Sequence, residues 1–372
     1  VAVAQMHTDG RLEMWVGSQD VFYQRDVVCR RLGMAEDKVL VHGCRVGGAF
    51  GGKTISTVEL EAAVLAHEIK IPVKVQWTRA QELLQAFHRP PSSHRVRARL
   101  KDGQLAHWTH DFASSHILFT AAVVPAWMQK FTDFIGDDGV ARGAAFPYKA
   151  QAKRTGFDLV RLPVYTGPWR GLGAGPNAFV IESAIDECAR VAGLDPINFR
   201  LQHIEEPRLK RVLEEALASA PSASQLAKGW IAGRGVACGI YKKTSFAAVV
   251  ADVQVDPASG EVRVLHMHCA HDCGRVVNPD QVRAQCEGNL VWGLGMVLVE
   301  NWSNDARNFG EAPIPRMPQL PGISVHLVDH GEPPSGAGET AIVAAGAAIA
   351  NDTKFIMYLT SLGDMCFVLV LI

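Results

Sequence analysis

Three glycine-rich runs in this sequence each contain a side chain that could take part in chemistry. Residues 47–53 read GGAFGGK, residues 167–173 read GPWRGLG and residues 336–340 read GAGET. The first run supplies an aromatic ring, the second the Arg170 guanidinium and the third the Glu339 carboxylate. Glycine allows the main chain to approach a ligand closely and to adopt positive φ angles. Together the runs predict a site that surrounds a large, oxygen-rich cofactor.

The composition indicates a globular protein with more than one domain. The chain has 372 residues, of which 48% are hydrophobic and 20% are charged, and its formal net charge is −1. No basic run is interleaved with aromatic residues, so nucleic-acid binding has no support. The eight cysteines include no Cys-x-x-Cys pair, which argues against a disulfide framework or an iron–sulfur cluster within this chain.

Hydrophobic periodicity predicts both strands and helices. The predicted strands are residues 12–16, 73–77, 246–256 and 261–269, the last two joined by a hairpin turn. Ser56 and Glu59 have the spacing of a capping box, which predicts a helix that continues to His67. Further helices are predicted at residues 177–192, from Asp195-Pro196 onward, and from Val343 to Ala350.

These elements predict an α+β fold of mixed sheets with packed helices, because the chain lacks a repeating strand–helix–strand rhythm. Acidic residues, proline and serines after residue 205 predict a boundary. We therefore predict a first region at 1–205, a linker at 206–235 and a second region at 236–372. The tail at 355–372 is very apolar, but it is slightly short for a membrane span and contains Asp364, so no transmembrane helix is predicted.

The first glycine-rich run also allows an alternative interpretation. Gly47, Gly52, Lys53 and Thr54 match the pattern Gly-x-x-x-x-Gly-Lys-Ser/Thr of phosphate-binding loops. The apolar residues before the run and the predicted helix after it are compatible with such a loop. A nucleotide-binding enzyme that uses Lys53 is therefore an alternative, although this short pattern often occurs by chance.

A group of histidines and cysteines near residue 270 raises the question of a metal site. The group comprises His266, His268, Cys269, His271 and Cys273. Zinc requires a convergent tetrahedral set of ligands, whereas His266 and His268 alternate along a predicted strand. We therefore do not predict a metal site formed by these side chains.

Four motifs follow one another along the chain. They are GGAFGGK at 47–53, TGPWRGLG at 166–173, AHDCGRVVNPDQVRAQCEG at 270–288 and GEPPSGAGET at 331–340. They resemble, in order, the GGGFGG loop, the GPWR segment, the DCG–NP–QxEG run and the catalytic-glutamate loop of the molybdenum hydroxylase large subunit. This family includes xanthine dehydrogenase and aldehyde oxidase, and the GPWR segment is similar to that of its isoquinoline 1-oxidoreductase branch. The resemblance extends from about residue 1 to residue 350.

The resemblance implies that Glu339 is a general base in the hydroxylation of an electron-poor carbon, with oxygen taken from water. Glu339 also suits the N-terminus of a helix, where the helix dipole favours negative charge, and the two roles are compatible. The implied cofactor is molybdenum with molybdopterin, in the cytosine dinucleotide form, and the metal has no direct protein ligand. The implied cofactor-binding residues are Gln19, Phe50, Gly51, Arg170, Gln285 and Gly338.

The resemblance also implies a substrate pocket that includes Thr54, Trp169 and Leu172. Leu172 stands where purine-oxidising members have a stacking aromatic residue, and Thr54 stands where they have a glutamate. Both differences favour an N-heteroaromatic compound or an aldehyde over a purine as the small-molecule substrate.

Several partners follow from the same resemblance. They are the N-terminal half of the large subunit, an iron–sulfur small subunit with [2Fe-2S] clusters, and a cytochrome or flavin as a further electron acceptor. A truncated or scaffolding subunit without catalytic activity is the alternative. Both the bacterial cytoplasm and the periplasm are compatible with the sequence.

Overall fold

The described part of the chain contains three four-stranded sheets with helices packed against them. A computed structural model describes residues 1–120, 123–222, 227–301, 305–329, 331–360 and 369–371. Each sheet contains one parallel strand pair beside its antiparallel pairs. The predicted α+β class with mixed sheets is therefore confirmed.

The first sheet supports the GGAFGGK loop. Its strands are β1 (Ala2–Met6), β2 (Leu12–Val16), β3 (Val39–Gly43) and β4 (Val73–Val75), which pair in the order β3-β2-β1-β4. Helices α1 (Val21–Leu32) and α2 (Val58–Ile69) pack beside these strands. Alternate side chains of β2 are buried, as the apolar pattern predicts. The predicted strand at 12–16 is confirmed, and the strand predicted at 73–77 is two residues shorter.

The start of α2 differs from the prediction. Its N-cap is Thr57 rather than Ser56, and no side chain caps the helix. The Glu59 carboxylate instead accepts a hydrogen bond of 3.0 Å from the Thr57 backbone N–H. The predicted capping box at Ser56 is therefore wrong, because the helix begins too late for the Ser56 hydroxyl to reach the free amides of its first turn.

The second sheet is built from two long strands and a parallel neighbour. These strands are β5 (Ser92–Lys101), β6 (Gln104–Ser114) and β7 (Ala152–Leu159). The helices between β4 and β7 are α3 (Arg79–Gln85), α4 (Ala126–Ile135) and α5 (Asp138–Ala141).

The third sheet carries most of the core. Its strands are β8 (Ile231–Tyr241), β9 (Ser245–Val255), β10 (Val262–Asp272) and β11 (Gly322–Leu327), paired in the order β11-β10-β9-β8. The accompanying helices are α6 (Ala174–Ala192), α7 (Pro196–His203), α8 (Pro207–Ser219), α9 (Pro279–Leu298) and α10 (Ala341–Thr360). Strand β12 (Leu369–Leu371) joins the second sheet beside β5. The predicted hairpin of β9 and β10 and the helix from Asp195-Pro196 are confirmed.

Helix α6 begins at Ala174, three residues before the predicted start at Asn177. Asn177 lies inside the helix rather than at its cap. Its side-chain Nδ2 donates to the carbonyl oxygens of Val140 and Arg142, at 3.0 Å each. The Asn177 side chain therefore joins α6 to the end of α5 and to the residue that follows it.

The predicted linker at 206–235 contains helix α8, whose apolar face lies in the main core. The side chains that form this face are spaced at helical intervals and are fully buried: Leu209, Val212, Leu213 and Ala216. The division of the chain at this segment stays a prediction, but the segment itself contributes to packing.

The apolar tail is described only in part. No helix within the described residues is both long and apolar enough to cross a membrane. Residues 361–368 and 372 of the predicted tail lie outside the described residues.

The cysteines that the structure describes form no disulfide bonds, and all of them are buried except Cys44.

We expect Leu213→Ala to destabilise the protein strongly. Removal of a buried leucine side chain typically costs about 2–5 kcal/mol of unfolding free energy, because a cavity remains. The matched control is Lys210→Ala, which changes an exposed position on the same helix. Denaturant unfolding of the two variants provides the measurement. Equal stability of both variants would show that α8 is not part of the folded core.

Candidate active site

Three of the predicted site residues, Phe50, Gln285 and Gly338, contact Arg170, which is only 2% exposed. Its Nε donates to the Gly338 carbonyl oxygen at 2.6 Å. Its Nη2 donates to the Gln285 backbone oxygen at 3.0 Å and to the Gln285 side-chain Oε1 at 2.9 Å. One side chain thus joins the GPWRGLG loop, helix α9 and the GAGET loop, although 168 residues separate Arg170 from Gly338.

The Arg170 guanidinium also lies over two aromatic rings. Its central carbon is 4.4 Å from the Phe50 ring centroid and 5.9 Å from that of Trp292. Burial lowers the pKa of Arg170 to about 10, while the negative charge of Glu339 acts in the opposite direction. Arg170 is therefore charged at neutral pH and places a fixed cation beside Glu339.

Glu339 lies two residues before α10, which begins at Ala341, and its loop is held at two points. The Gly171 backbone N–H donates to Glu339 Oε1 at 3.2 Å. The next residue, Thr340, is fully buried and its Oγ1 is 2.7 Å from Ser245 Oγ, which fixes the end of the loop to β9. The predicted catalytic carboxylate thus sits on backbone that is anchored to the third sheet.

Tyr241 borders the same carboxylate. Burial, together with the nearby Glu339, raises the pKa of Tyr241 to about 12, so its hydroxyl keeps its proton at neutral pH. Arg142 Nη1 donates to the Tyr241 hydroxyl oxygen at 3.0 Å. Glu339 therefore has the Gly171 N–H, the Tyr241 side chain and the Arg170 guanidinium as neighbours.

The GGAFGGK loop packs against the GPWRGLG loop at Gly51. A Cβ atom on Gly51 would lie 2.3 Å from the Pro168 carbonyl oxygen, and the φ angle of Gly51 is +99°. Gln19 supports this arrangement, because its Oε1 accepts hydrogen bonds from the N–H groups of Gly51 at 3.1 Å and Lys53 at 3.2 Å. The contact requires glycine at residue 51.

Aromatic side chains form a wall next to these loops. The Trp292 ring makes edge contacts with the rings of Phe50 and Trp169, with centroid separations of 5.5 and 5.6 Å. Trp169 Nε1 is buried and has no hydrogen-bond partner within the described part of the chain. The wall thus combines flat apolar surface with one uncommitted donor, a chemistry that suits a planar, oxygen-bearing ligand.

Thr54 and Leu172, two predicted pocket residues, make other contacts. Thr54 Oγ1 donates to the Gly51 carbonyl oxygen at 2.7 Å and closes the turn of the loop. The Leu172 side chain packs in a core cluster with Phe112 and Val140. Their roles in a substrate pocket stay predictions.

The Lys53 segment lacks the geometry of a phosphate-binding loop. In such loops, the Lys-Ser/Thr pair lies where the following helix begins. Here α2 begins at Val58, four residues after Thr54. The amides of Gly51 and Lys53 are used by Gln19, which leaves them unavailable to a phosphate.

The histidines near residue 270 lie on β10, and the His266 and His268 rings contact the Ser324 hydroxyl. His268 is 2.9 Å from Ser219 Oγ through Nε2 and 2.7 Å from Ser324 Oγ through Nδ1. Burial lowers the pKa of both His268 and His271 to about 4, so both are neutral at pH 7. Among the described residues, no three His, Cys, Asp or Glu side chains converge to hold a metal ion.

Sequence reasoning missed three residues of the site: Arg89, Tyr241 and Trp292. Trp292 follows Gln285 by seven positions on α9, which are two helical turns, so helical spacing could have placed it on the same face. Arg89 and Tyr241 lie outside the glycine-rich runs, and no sequence signal marks them. Burial lowers the pKa of Arg89 to about 10, against the opposing charges of Glu300 and Glu339.

Comparison with known families shows the family to which the chain belongs. A family model of the molybdopterin cofactor-binding domain matches residues 1–204, and a second model with the same description matches residues 189–321. The chain belongs to this family. The predicted resemblance to the molybdenum hydroxylase large subunit is confirmed.

Two curated relatives are similar to most of the chain. A nicotinate dehydrogenase subunit from Pseudomonas putida is 33% identical over 92% of the chain and 31% of its own length. The beta subunit of isoquinoline 1-oxidoreductase from Brevundimonas diminuta is 31% identical over 94% of the chain and 45% of its own length. The chain therefore spans less than half the length of either relative.

Solved structures share the fold. Aldehyde oxidoreductase from Desulfovibrio gigas superimposes with a TM-score of 0.79 at 17% identity, over 95% of this chain and 56% of that chain. Quinoline 2-oxidoreductase from Pseudomonas putida 86 also gives a TM-score of 0.79, at 15% identity, over 96% of this chain and 71% of that chain. At these sequence identities, the similarity shows a shared fold only.

We expect Gly51→Ala to disturb the contact between the two loops, whereas Gly47→Ala leaves it intact. Both glycines have positive φ, but a Cβ on Gly47 would meet no atom within 4 Å, so only Gly51→Ala adds a clash with Pro168. Forced overpacking costs about 1–3 kcal/mol beyond the strain that both variants share. Thermal unfolding and pterin content measure the difference. Equal stability and pterin content in the two variants would contradict the proposed contact.

Proposed function

We propose that this chain is the part of a molybdenum hydroxylase that holds the cofactor and supplies the base for hydroxylation. The observation that carries the proposal is the position of the Glu339 carboxylate. It lies on a glycine-framed loop, accepts a hydrogen bond from Gly171 and neighbours the buried Arg170 cation. No other carboxylate of the predicted motifs has this combination of neighbours among the described residues.

The residues present fit a molybdenum–pterin group. Trp169 Nε1 is a buried donor without a protein partner within the described residues, and the Phe50 and Trp292 rings offer aromatic surface in the same region. Phe50, Gly51, Arg170, Gln285 and Gly338 would form the cofactor side of the site, and Gln19 would support it through the loop at residues 51–53. When bound, the group would supply the oxidising centre for a hydroxylation that uses water-derived oxygen.

The protein's own contribution is to orient the substrate and move a proton. Gly171 and Tyr241 hold the Glu339 carboxylate, to which we assign proton uptake. Arg170 stays cationic and stabilises negative charge that develops beside it. The aromatic wall of Phe50, Trp169 and Trp292 limits water and offers flat surface to a planar substrate.

The substrate that we propose is an N-heteroaromatic compound or an aldehyde. A planar heteroaromatic ring suits the aromatic wall, and the curated relatives are named for nicotinate and isoquinoline. Leu172 and Thr54 lack the aromatic and acidic groups expected for purine recognition, which supports the same choice.

We also propose that the chain works within a larger assembly. The curated relatives are named as subunits, and the chain covers less than half of their length. Electrons would leave through a separate iron–sulfur subunit with [2Fe-2S] clusters and then pass to a cytochrome or flavin, since this chain has no cysteine spacing for a cluster. The cytosine dinucleotide form of the pterin belongs to the same proposal.

We expect Glu339→Gln to abolish most turnover in the complete complex while molybdenum is retained. Glutamine keeps the size and the hydrogen bond from Gly171 but cannot accept the proton. A general base contributes about 10²–10⁴-fold, so kcat should fall at least that much with little change in KM. Steady-state kinetics with an artificial acceptor and metal analysis provide the measurement.

The control for this experiment is Glu214→Gln, at an exposed position on α8. It removes an equivalent carboxylate far from the loops and should leave kcat unchanged. A Glu339→Gln enzyme that retains molybdenum and turns over within a few-fold of the parent would rule out Glu339 as the base.

We further expect the purified complex to contain molybdenum and a pterin. Elemental analysis should give about one molybdenum per site, because the cofactor makes the chemistry possible. Release and chromatography of the pterin would identify its dinucleotide form. An active preparation without molybdenum and pterin would overturn the proposed function, and an inactive complex that contains neither would support the scaffolding alternative.

A further inference from the structure

The Arg89 guanidinium donates hydrogen bonds to the main chain on both sides of Gly171. Its Nη2 donates to the Arg170 carbonyl oxygen at 2.7 Å, and its Nη1 donates to the Leu172 carbonyl oxygen at 2.8 Å. The two donors of one planar guanidinium therefore fix two carbonyl groups that are two residues apart. Arg89 approaches from a segment 81 residues earlier in the chain.

The segment that Arg89 binds has an unusual backbone conformation. Gly171 and Leu172 have φ angles of +85° and +50°, both in the left-handed region. Leu172 carries a side chain that disfavours this region, so surrounding contacts must hold the conformation. The hydrogen bond from the Leu172 N–H to the Trp169 carbonyl oxygen, at 2.7 Å, closes the turn, and Arg89 fixes its outer edge.

The geometry of the peptide bond connects Arg89 to Glu339. The Arg170 carbonyl and the Gly171 N–H belong to one planar peptide unit, and they point in opposite directions from it. Arg89 holds the oxygen of this unit, while the N–H on the other edge donates to Glu339 Oε1 at 3.2 Å. A rotation of the unit would move the donor away from the carboxylate.

We propose that Arg89 is a positioning residue for the Glu339 carboxylate and acts through the peptide unit between Arg170 and Gly171. The inference rests on the proposed function in one respect, because Glu339 must be the base for the positioning to affect turnover. Arg89 donates to backbone oxygens, so its role is to set the direction of the Gly171 N–H. The charge of Arg89 near Glu339 is a second contribution, which the variants below separate from the geometry.

Two substitutions separate the effect of the Arg89 hydrogen bonds from the effect of its charge. Arg89→Lys keeps the positive charge but loses the planar pair of donors, whereas Arg89→Met loses both. The matched control is Arg161→Lys, because Arg161 also donates to two backbone carbonyl oxygens, those of Phe119 and Gln129, at 3.2 Å each. Arg161 contacts neither Glu339 nor the GPWRGLG loop in any hydrogen bond among the described residues.

The first measurement does not depend on the cofactor. Amide hydrogen exchange is followed at Gly171 and Leu172 in the protein without molybdenum. We expect both Arg89 variants to exchange at least about tenfold faster at these amides, since local opening depends on the contacts that hold the segment. Exchange in α6 and the third sheet should stay unchanged, and Arg161→Lys should resemble the parent protein at Gly171 and Leu172.

The second measurement uses the loaded complex. Misplacement of a catalytic group by about 1 Å can cost about 10²-fold, so we expect Arg89→Lys to lower kcat by about that factor. KM should change less than about threefold, because the carboxylate does not bind substrate in the ground state. Molybdenum content should equal that of the parent complex.

Each outcome decides the proposal. Unchanged exchange at Gly171, or unchanged kcat in an enzyme whose Glu339→Gln variant is inactive, would overturn it. Loss of protection throughout α6 and the third sheet would also overturn it, in favour of a general structural role. If Glu339→Gln retained full turnover, the proposed function would fail, and local exchange would still show whether Arg89 holds the peptide unit.

Discussion

The buried Arg170 guanidinium is the interaction on which the rest of the site depends. A charge that is removed from water must be compensated by hydrogen bonds, and loss of one partner is far more costly than loss of a surface contact. Arg170 obtains these bonds from Gly338 and Gln285, and its flat face rests on Phe50. Each loop is therefore held in place partly by its need to satisfy one cation.

Residues with strained backbone lie next to Arg170. Phe50 and Leu172 both have positive φ, although neither is glycine. Such conformations cost about 1–3 kcal/mol each and persist when neighbouring structure determines them. Here the neighbouring structure is the close contact at Gly51 and the pair of hydrogen bonds from Arg89. Strain, close backbone approach and a fixed carboxylate thus occur together at one place in the fold.

The sequence located the loops of the site but not the contacts between them. Arg170 and Glu339 were recognisable because each lies in a short run framed by glycine. Arg89 was not recognisable from the sequence, because its effect depends on contact with a loop that lies 81 residues later in the chain. The helical spacing of the buried α8 residues was present in the sequence, yet proline and serine nearby suggested a linker. Local signals therefore identified elements, and tertiary contacts decided what those elements do.

The glycine-rich loops, in our central proposal, hold a molybdenum–pterin group against Glu339. An experimental structure of the loaded complex tests this proposal most directly. We predict density for the pterin beside Phe50 and Gly51, with the metal within reach of the Glu339 carboxylate and the Arg170 contacts unchanged. Density for the group elsewhere in the complex, with Glu339 facing only protein atoms, would contradict the proposal.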